Sequence, residues 1–386
     1  AESLGCLLYN DRDLIPTTFI LESEAPMKAA VLHAVDTPLA IEDVQIDNPG
    51  PREVLIRTGA SGVCHSDLHF VEGKYRMHMP AVLGHEAAGT VEAVGSQVSY
   101  VQPGDRVIMC LSVFCGHCEN CLRGRPVLCD RIDVVRSRSD PPRLKQEDTP
   151  VTQMAELGSF AEQMLVHEHA VVKVGDDMPF EQLALIGCGV TTGLGAALNT
   201  AKVEPGSTVA VIGCGGVGLN AIQGARLAGA LRITAIDTVE PKLTLAQEFG
   251  ATDVIDASGG GVVDKVKDLT GSGVDYSFEA IGLKETAEQS FEILARGGTA
   301  TIIGMIPQGT KIELDGPSFL SERRIQGSSM GSNRFRIDMP RYIEFYRQGR
   351  LKLDELVTQR MSLEGVNQAF DDMKQGHVAR TVLVFD

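Results

Sequence analysis

Residues 115–129 have the sequence CGHCENCLRGRPVLC, which contains four cysteines. Two-residue gaps between thiolates are typical of tetrahedral zinc sites, and four thiolate ligands leave no position for a substrate. The spacing therefore predicts a structural zinc ion that stiffens an irregular loop, with His117 as an unligated surface residue. Disulfides are the alternative, and they are rare in a reducing compartment. The predicted ligands are Cys115, Cys118, Cys121 and Cys129.

A second set of possible ligands is scattered along the chain: Cys64 in GVCHSDLH, His85 in GHEAAG and Cys188 in GCGVTTG. Two thiolates and one imidazole leave a fourth zinc position open to water or substrate, which is how catalytic zinc sites are built. Each residue alone has a simpler explanation, because a lone cysteine is usually a small buried apolar side chain. The other cysteines are interpreted as packing or loop residues, and the histidines of VHEHAVVKV as surface strand residues. These are Cys6, Cys110, Cys214, His167 and His169.

A glycine-rich loop, VIGCGGVG, follows the apolar strand TVAVIG and precedes a helical pattern. This order predicts a dinucleotide site, because the glycines allow a tight turn and let backbone N–H groups approach a pyrophosphate. Asp237 ends the next strand, where a carboxylate would bind the ribose hydroxyls and repel a 2′-phosphate, so NAD is favoured over NADP. The alternative is a glycine-rich turn with Asp237 as a helix cap. The predicted loop contacts are Gly213, Gly215, Gly216, Val217 and Gly218.

Length and charge limit the classes of function. A chain of 386 residues is long for one hydrophobic core, so two domains are expected. The formal net charge of −16 repels nucleic acid and anionic membranes, which disfavours both as main partners. No apolar run approaches the roughly 20 residues of a membrane span. Residues 1–26 lack signal-peptide features and are interpreted as an extension or expression remnant, and the cysteine usage favours a reducing cytoplasm.

The pattern of the sequence changes near Phe180. Before it, short β-type runs are broken by glycine and proline, and the polar segment 136–150 is predicted to be a surface loop. After it, apolar strands alternate with helices, which indicates a parallel sheet covered on both faces. The predicted α/β architecture is a β-rich domain in two segments around a doubly wound domain. The segments are 27–189 and 331–386 for the first domain, 190–330 for the second, and 110–130 for the cysteine lobe.

The stretch GHEAAGTVEAVG resembles the zinc signature of zinc-dependent alcohol dehydrogenases in the medium-chain dehydrogenase/reductase superfamily, and the cysteine lobe matches the family's structural-zinc spacing. The resemblance extends over nearly all of Met27–Asp386. It implies a GroES-like catalytic domain around a Rossmann domain, with the active site in the cleft between them. It also implies reversible hydride transfer between a primary alcohol and NAD. Leu111 stands where the pocket often has a larger aromatic side chain, which favours a bulky or aromatic alcohol.

The resemblance implies roles for the scattered ligand set and its neighbours. Cys64, His85 and Cys188 would hold the catalytic zinc, and Glu86 would approach the ion transiently. Asp67 would orient the His85 ring through a hydrogen bond.

Proton transfer and cofactor binding are implied in the same way. Ser66 would hydrogen-bond the alcohol oxygen, and His69 would pass its proton to solvent through the nicotinamide ribose. A neutral imidazole at His65, where an arginine is common, would hold the cofactor less firmly. The implied cofactor contacts are Lys242 at the adenosine ribose, Thr192, Ile303, Gly304 and Met305 at the nicotinamide, and Arg380 and His65 at the pyrophosphate.

Several functions remain open from the sequence. A polyol or amino-alcohol dehydrogenase would use the same metal and cofactor, and a thiol-adduct formaldehyde dehydrogenase is a further member of the superfamily. The glutathione-dependent branch usually has tyrosine where this chain has His69, which disfavours that activity. A non-enzymatic NAD-sensing scaffold is the third alternative, although all three catalytic ligands are present. The long 130–158 segment resembles dimeric members, which implies a homodimer with a small-molecule alcohol or aldehyde substrate.

Overall fold

The computed structural model describes residues 26–137, 139–376 and 379–385. Cys6, His377 and residues 1–25 of the proposed extension lie outside this part of the chain. The strands are β1 (Met27–Leu32), β2 (Ala40–Ile46), β3 (Glu53–Gly62), β4 (Ala81–Val82), β5 (Glu86–Val94), β6 (Arg106–Met109), β7 (Leu144–Gln146), β8 (Thr149–Gln153), β9 (Gln163–His167), β10 (Val171–Val174), β11 (Thr208–Ile212), β12 (Arg232–Asp237), β13 (Asp253–Asp256), β14 (Val274–Glu279), β15 (Leu294–Ile302), β16 (Arg324–Gly327), β17 (Val357–Met361) and β18 (Arg380–Val384).

Short helices connect these strands. They are α1 (His65–Val71), α2 (Glu119–Leu122), α3 (Phe180–Leu185), α4 (Thr191–Gly195), α5 (Gly216–Ala228), α6 (Glu240–Glu248), α7 (Val262–Thr270), α8 (Lys284–Glu292), α9 (Phe335–Arg347) and α10 (Val366–Lys374).

The β-rich domain contains a small barrel and a larger sheet. The barrel is closed by β1, β2, β7, β8 and β4, and the sheet has the order β10-β6-β5-β3-β18-β17, with β9 also paired to β3. The C-terminal strand β18 runs antiparallel to β3, which places Val382 opposite Gly62. The last strand of the chain therefore lies beside the end of β3, directly before Cys64.

The second domain is built on a parallel six-stranded sheet with the order β13-β12-β11-β14-β15-β16. Its central strand β11, TVAVI, is buried along nearly its whole length, as expected for a sheet with helices on both faces. The strand order reverses between β11 and β14, and ligands of open α/β sheets bind at such a crevice. The predicted fold class is confirmed.

One helical run passes between the two domains. It comprises α3, a π-helical segment Ile186–Val190, α4 and a second π-helical segment Ala196–Ala201. The expectation that no apolar run reaches membrane-span length was wrong, since Phe180–Ala201 has 22 residues and a mean hydropathy of 1.4. Its most apolar 18-residue window is 83% buried inside the protein, and leucines and alanines of the helix belong to a core shared by both domains. Burial therefore accounts for its composition.

The segment 136–150 lies mostly at the surface, as predicted, but part of it is strand and not loop. β7 lies within it and pairs antiparallel with β8, which begins at Thr149, so that buried Leu144 lies opposite buried Val151. Two such short strands give too few alternating positions for a period to be visible in the sequence. The segment is also fixed by ion pairs, because Arg136 and Arg143 both bind the buried carboxylate of Glu53.

The interpretation of His167 as a surface residue was also wrong. Its side chain is 5% exposed, and its Nδ1 accepts a hydrogen bond from the backbone N–H of His169 at 3.0 Å. The strand ends here because a 3-10 turn, Glu168–Ala170, interrupts the run. His169 is half-buried and stacks on Phe114, with ring centroids 4.7 Å apart. A period-two pattern cannot show that both faces of this strand are covered.

Candidate catalytic metal site and cofactor cleft

Three possible metal ligands from distant parts of the sequence meet in the cleft. The ligand atoms of Cys64, His85 and Cys188 all lie within 4.8 Å of one another, and all three residues are buried. Cys64 caps the N-terminus of α1, and His85 directly precedes β5. Cys188 lies in the first π-helical segment, a local geometry that frequently marks functional sites.

Asp67 fixes the positions of two of these ligands. Its fully buried carboxylate accepts hydrogen bonds from the backbone N–H groups of Cys64 and Gly84, each at 3.0 Å. It also lies 3.0 Å from Nδ1 of His85. Because a carboxylate only accepts, Nδ1 carries the proton, which leaves Nε2 of His85 as the free ligand atom.

The electrostatics of the group favour a metal thiolate. Its hydrogen bond with Cys188 holds the pKa of Cys64 well below its usual range against the opposing effect of burial, and Arg380 and His85 act in the same direction. The Cys64 thiol therefore ionises more readily than an ordinary cysteine. Two sulfurs and one imidazole nitrogen at this separation match a zinc site with an open position.

A buried glutamate and arginine lie behind this group. Oε1 of Glu86 accepts the Gly189 N–H at 3.0 Å, while Oε2 has no hydrogen-bond partner among the described residues and lies 4.0 Å from Nη1 of Arg380. Burial raises the pKa of Glu86 to about 7, against the opposing charge of Arg380. The transient approach of Glu86 to the metal stays a prediction.

Ser66 and His69 stand on the same face of α1, three residues apart, and both line the cavity. The Ser66 hydroxyl oxygen lies 3.7 Å from the Cys64 sulfur, so it is next to the metal group. Nδ1 of His69 is buried and has no hydrogen-bond partner in the part of the chain that the structure describes. Burial lowers the pKa of His69, with Lys74 acting in the same direction, so the ring is neutral at neutral pH. A neutral imidazole can accept a proton.

The glycine loop borders the same cavity. Gly213 has φ of +96°, a conformation that side chains rarely adopt, and it leads into α5, whose N-terminus faces the cavity. A Cβ on Gly216 would lie 2.3 Å from Nε of Arg380, so the loop and this buried guanidinium are in close contact. Gly218 does not line the cavity. A Cβ there would lie 1.7 Å from the Gly213 carbonyl oxygen, so this glycine permits close packing of the helix against the strand.

Asp237 lies at the edge of the cavity at the end of β12. Its carboxylate accepts backbone N–H groups of Cys214 at 2.8 Å, Thr238 at 2.8 Å and Val239 at 3.1 Å. Asp237 thus binds the backbone at the start of the next helix, as the capping alternative expected. These three bonds also hold its carboxylate in place. A carboxylate has about four acceptor sites, which leaves capacity for a ribose hydroxyl.

The other predicted cofactor contacts border the same cavity, which has a volume of about 650 Å³. Burial lowers the pKa of His65 to about 4, with Arg380 and Lys242 acting in the same direction, so this imidazole is neutral. The lining residues that the sequence placed here are His65, Leu111, Thr192, Gly213, Gly215, Gly216, Val217, Asp237, Lys242, Ile303, Gly304, Met305 and Arg380.

Sequence reasoning missed part of the lining. Phe70, Met154, Ala155 and Met330 also border the cavity. Phe70 follows His69 on α1 and could have been found from helical position. Met154 and Ala155 follow β8, and no residue pattern indicates that this loop reaches the metal group.

The four-cysteine lobe forms a second cluster, in which all four sulfurs lie within 4.8 Å of one another. Backbone N–H groups point at the sulfurs: that of Cys118 at Cys115, and those of Cys115 and Arg131 at Cys129. A hydrogen bond from the backbone of Asp130 lowers the pKa of Cys118 to about 6, whereas burial raises the pKa of Cys121 and of Cys129. Donors directed at sulfur stabilise thiolates, and four thiolates match a closed zinc site. His117 is exposed and is not part of the cluster.

Comparison with known proteins places this cleft in a family. Residues 50–176 match the family model described as "Alcohol dehydrogenase GroES-like domain", and residues 216–348 match "Zinc-binding dehydrogenase". An NDMA-dependent alcohol dehydrogenase of Amycolatopsis methanolica is 39% identical over 92% of this chain and 98% of its own length. The chain belongs to the zinc-dependent alcohol dehydrogenases of the medium-chain dehydrogenase/reductase superfamily.

Two further relatives bear on this dehydrogenase. A Schizosaccharomyces pombe protein named "Probable S-(hydroxymethyl)glutathione dehydrogenase 1" is 38% identical over 92% of this chain and 96% of its own length. The crystal structure of benzyl alcohol dehydrogenase from Acinetobacter calcoaceticus is 33% identical and superposes with a TM-score of 0.88, covering 93% of this chain and 99% of that one.

The two cysteine groups of this dehydrogenase should differ when a ligand is removed. We expect two zinc ions per chain, and Cys188→Ser and Cys121→Ser should each lose one, measured by elemental analysis. Cys188→Ser should abolish activity and leave the melting temperature nearly unchanged. In Cys121→Ser the free energy of unfolding should fall by about 2 kcal/mol or more, because a structural metal contributes folding free energy. The melting temperature should then fall by roughly 4–8 °C.

Each variant is the control for the other. One zinc ion or none in the unmodified protein, purified without chelators, would contradict the assignment of two sites. Equal loss of stability in both variants would contradict their division into an open and a closed site.

Proposed function

We propose that this protein is an NAD-linked zinc dehydrogenase that interconverts uncharged, apolar primary alcohols, aromatic ones included, with their aldehydes. The observation that carries the proposal is the shared cavity of about 650 Å³. Three features border this cavity: the possible zinc ligands, the proton-relay residues Ser66 and His69 on α1, and the glycine loop with Asp237 beside it. Hydride transfer from an alcohol needs these three features at one place.

The residues on the metal side of the cavity have distinct chemical roles in the proposed reaction. Zinc held by Cys64, His85 and Cys188 would supply a Lewis acid that lowers the pKa of an alcohol, and NAD would supply the hydride acceptor. Ser66 is placed to accept a hydrogen bond from the alcohol hydroxyl and receive its proton. His69, neutral because of burial, is placed to carry that proton toward solvent. The apolar side chains of the lining would limit the access of water to the reacting atoms.

The residues on the opposite side of the cavity would bind and orient the dinucleotide. The α5 N-terminus and the Arg380 guanidinium present positive charge to a pyrophosphate. The fixed carboxylate of Asp237 favours ribose hydroxyls and repels a 2′-phosphate. These charges give a site for an anionic cofactor within a chain whose net charge is −16.

The preference for an apolar substrate rests on the catalytic domain's part of the lining. Phe70, Leu111, Met154 and Ala155 present hydrocarbon and thioether surface. Among the described residues, the lining has two permanent cations, and both are on the cofactor side: Arg380 against the glycine loop, and Lys242 on α6 after β12. A glutathione adduct, the substrate class named for one relative, has two carboxylates that would lack a cationic partner at the substrate end.

Homodimer formation is part of the proposal. β16 is an edge strand of the parallel sheet, and an exposed edge is a template for pairing with a second copy. The segment before it exposes Phe319 and Leu320, the latter 90% exposed.

A reducing compartment, the cytoplasm, is also proposed, because the eight cysteines of the described part of the chain form no disulfide.

The cofactor assignment can be tested with benzyl alcohol as substrate. The unmodified protein should reduce NAD in preference to NADP, and it should act on benzyl alcohol in preference to S-(hydroxymethyl)glutathione. Asp237→Gly should weaken NAD binding by about 10- to 100-fold, because a charge-assisted contact to the ribose is lost. Asp237→Asn is the matched control, since it keeps the side-chain size while it removes the charge and one of the two acceptor oxygens, and it should narrow the NAD preference with less loss of stability.

These outcomes are measured as kcat/KM for each cofactor and substrate. Equal use of NADP and NAD by the unmodified protein would show that Asp237 does not select the ribose. A preference for the glutathione adduct would overturn the proposed substrate class.

The proton route can be tested through His69. His69→Gln should slow alcohol oxidation about 10-fold, since general bases contribute roughly 10²–10⁴-fold and solvent at the site offsets part of the loss. Because burial lowers the pKa of His69, the ring can still accept a proton as the pH falls below neutrality, so the loss should be largest there, where other bases are scarce. Imidazole buffer should restore part of the rate by replacing the missing base.

Ser66→Ala is the control, because the serine contacts the reacting oxygen and no buffer base can replace it. The steady-state rate is measured against pH and buffer concentration for both variants, with zinc content verified. An unchanged pH profile for His69→Gln, without a response to imidazole, would exclude the relay.

A further inference from the structure

One hydrogen bond joins the segment that follows α1 to the segment that follows β15, beside the cavity. The hydroxyl of Tyr75 donates to the carbonyl oxygen of Ile306 at 2.5 Å. Tyr75 follows α1 in the catalytic domain, and Ile306 follows β15 in the coenzyme domain. Of the hydrogen bonds seen in the described chain, this is the one that joins the segment 65–80 to the coenzyme domain.

Tyr75 is itself held against the relay residue. Its backbone N–H and that of Lys74 point at the carbonyl oxygen of His69, at 3.4 Å and 2.9 Å. The Tyr75 and His69 rings lie nearly parallel, at 7°, with centroids 6.1 Å apart, and Phe70 packs against the tyrosine at 6.0 Å. The hydroxyl is therefore carried by a side chain whose position is tied to the substrate wall of the cavity.

The segment 303–306 is held from its other side by β14. The N–H groups of Ile303 and Gly304 both donate to the carbonyl oxygen of Glu279, at 2.8 Å and 3.0 Å. A Cβ on Gly304 would lie 2.1 Å from the Gly282 backbone nitrogen, so the segment fits closely against the coenzyme domain. Residues 303–305 line the cavity at the side where the dinucleotide would lie.

We propose that Tyr75 is a positioning residue whose hydroxyl latches the segment 303–306 to the catalytic domain and so retains the dinucleotide. The identity of the ligand as NAD(H) rests on the function proposed above. Because the bond joins the two domains, their opening for cofactor exchange must break it. Loss of the bond should therefore speed dissociation and leave the chemistry on the metal side unchanged.

Tyr75→Phe removes the hydroxyl and keeps the ring that packs on His69. Since one hydrogen bond makes a modest net contribution, we expect NADH to dissociate about 2- to 10-fold faster and its dissociation constant to rise by a similar factor. In the cofactor-free protein, the amides of 303–306 should exchange hydrogen faster by about the same factor. The pH profile of alcohol oxidation should not shift.

Tyr346→Phe is the matched control. It also removes one tyrosine hydroxyl bond, to Asp354 at 2.9 Å, on α9 and away from the cavity lining. NADH dissociation is measured by stopped-flow fluorescence, and amide exchange by mass spectrometry without cofactor. Tyr75→Phe rates equal to those of Tyr346→Phe in both measurements would overturn the latch. If the unmodified protein bound no NADH, the proposed function would fail, and the exchange comparison would still decide the latch.

Discussion

The Asp67 carboxylate is the constraint on which the cleft depends. It is fully buried, and it binds the backbone at Cys64, the backbone at Gly84 and the His85 ring. Hydrogen bonds to a charged group contribute about 1.5–3 kcal/mol each, and an unpaired buried carboxylate would cost several kcal/mol. The start of α1 and the turn before β5 are therefore fixed relative to each other, and the metal ligands with them.

Arg380 connects this metal group to the dinucleotide side. It begins β18, which lies beside β3, so the last strand of the chain delivers a buried cation next to Cys64. The guanidinium is near the carboxylate of Glu86 on one side and in contact with Gly216 on the other. Although burial opposes it, the pKa of Arg380 is raised by Glu86 and the neighbouring thiols, so the positive charge persists. One buried charge thus serves both halves of the cleft.

Sequence patterns predicted the features that local spacing encodes. The strand, glycine loop and helix around Gly213 and the parallel sheet follow from continuous apolar runs, and the cysteine lobe follows from its spacing. The hairpin containing Leu144 could not be predicted, since its strands are short and stabilised by Glu53 far away in sequence. The bond from Tyr75 to the backbone of Ile306 is equally invisible, because any residue type supplies a carbonyl oxygen.

The role of the scattered ligands needed more than spacing. Cys64, His85 and Cys188 have no fixed separation, and it is the fold that brings them within 4.8 Å. Burial of His167 and the reach of Met154 into the cavity are also tertiary effects, which depend on what covers each strand. Resemblance to a family supplied the ligand roles, and Asp67 supplies their physical reason.

Direct hydride transfer from alcohol to dinucleotide in this cleft is the central claim. It is tested most directly with benzyl alcohol carrying deuterium on its hydroxyl-bearing carbon, in a single turnover with stoichiometric NAD and acid quenching. Mass spectrometry and proton NMR of the recovered dinucleotide locate the isotope. Direct transfer would place deuterium at C4 of the nicotinamide ring in proportion to the aldehyde formed. Aldehyde formation with no deuterium in the dinucleotide would contradict it.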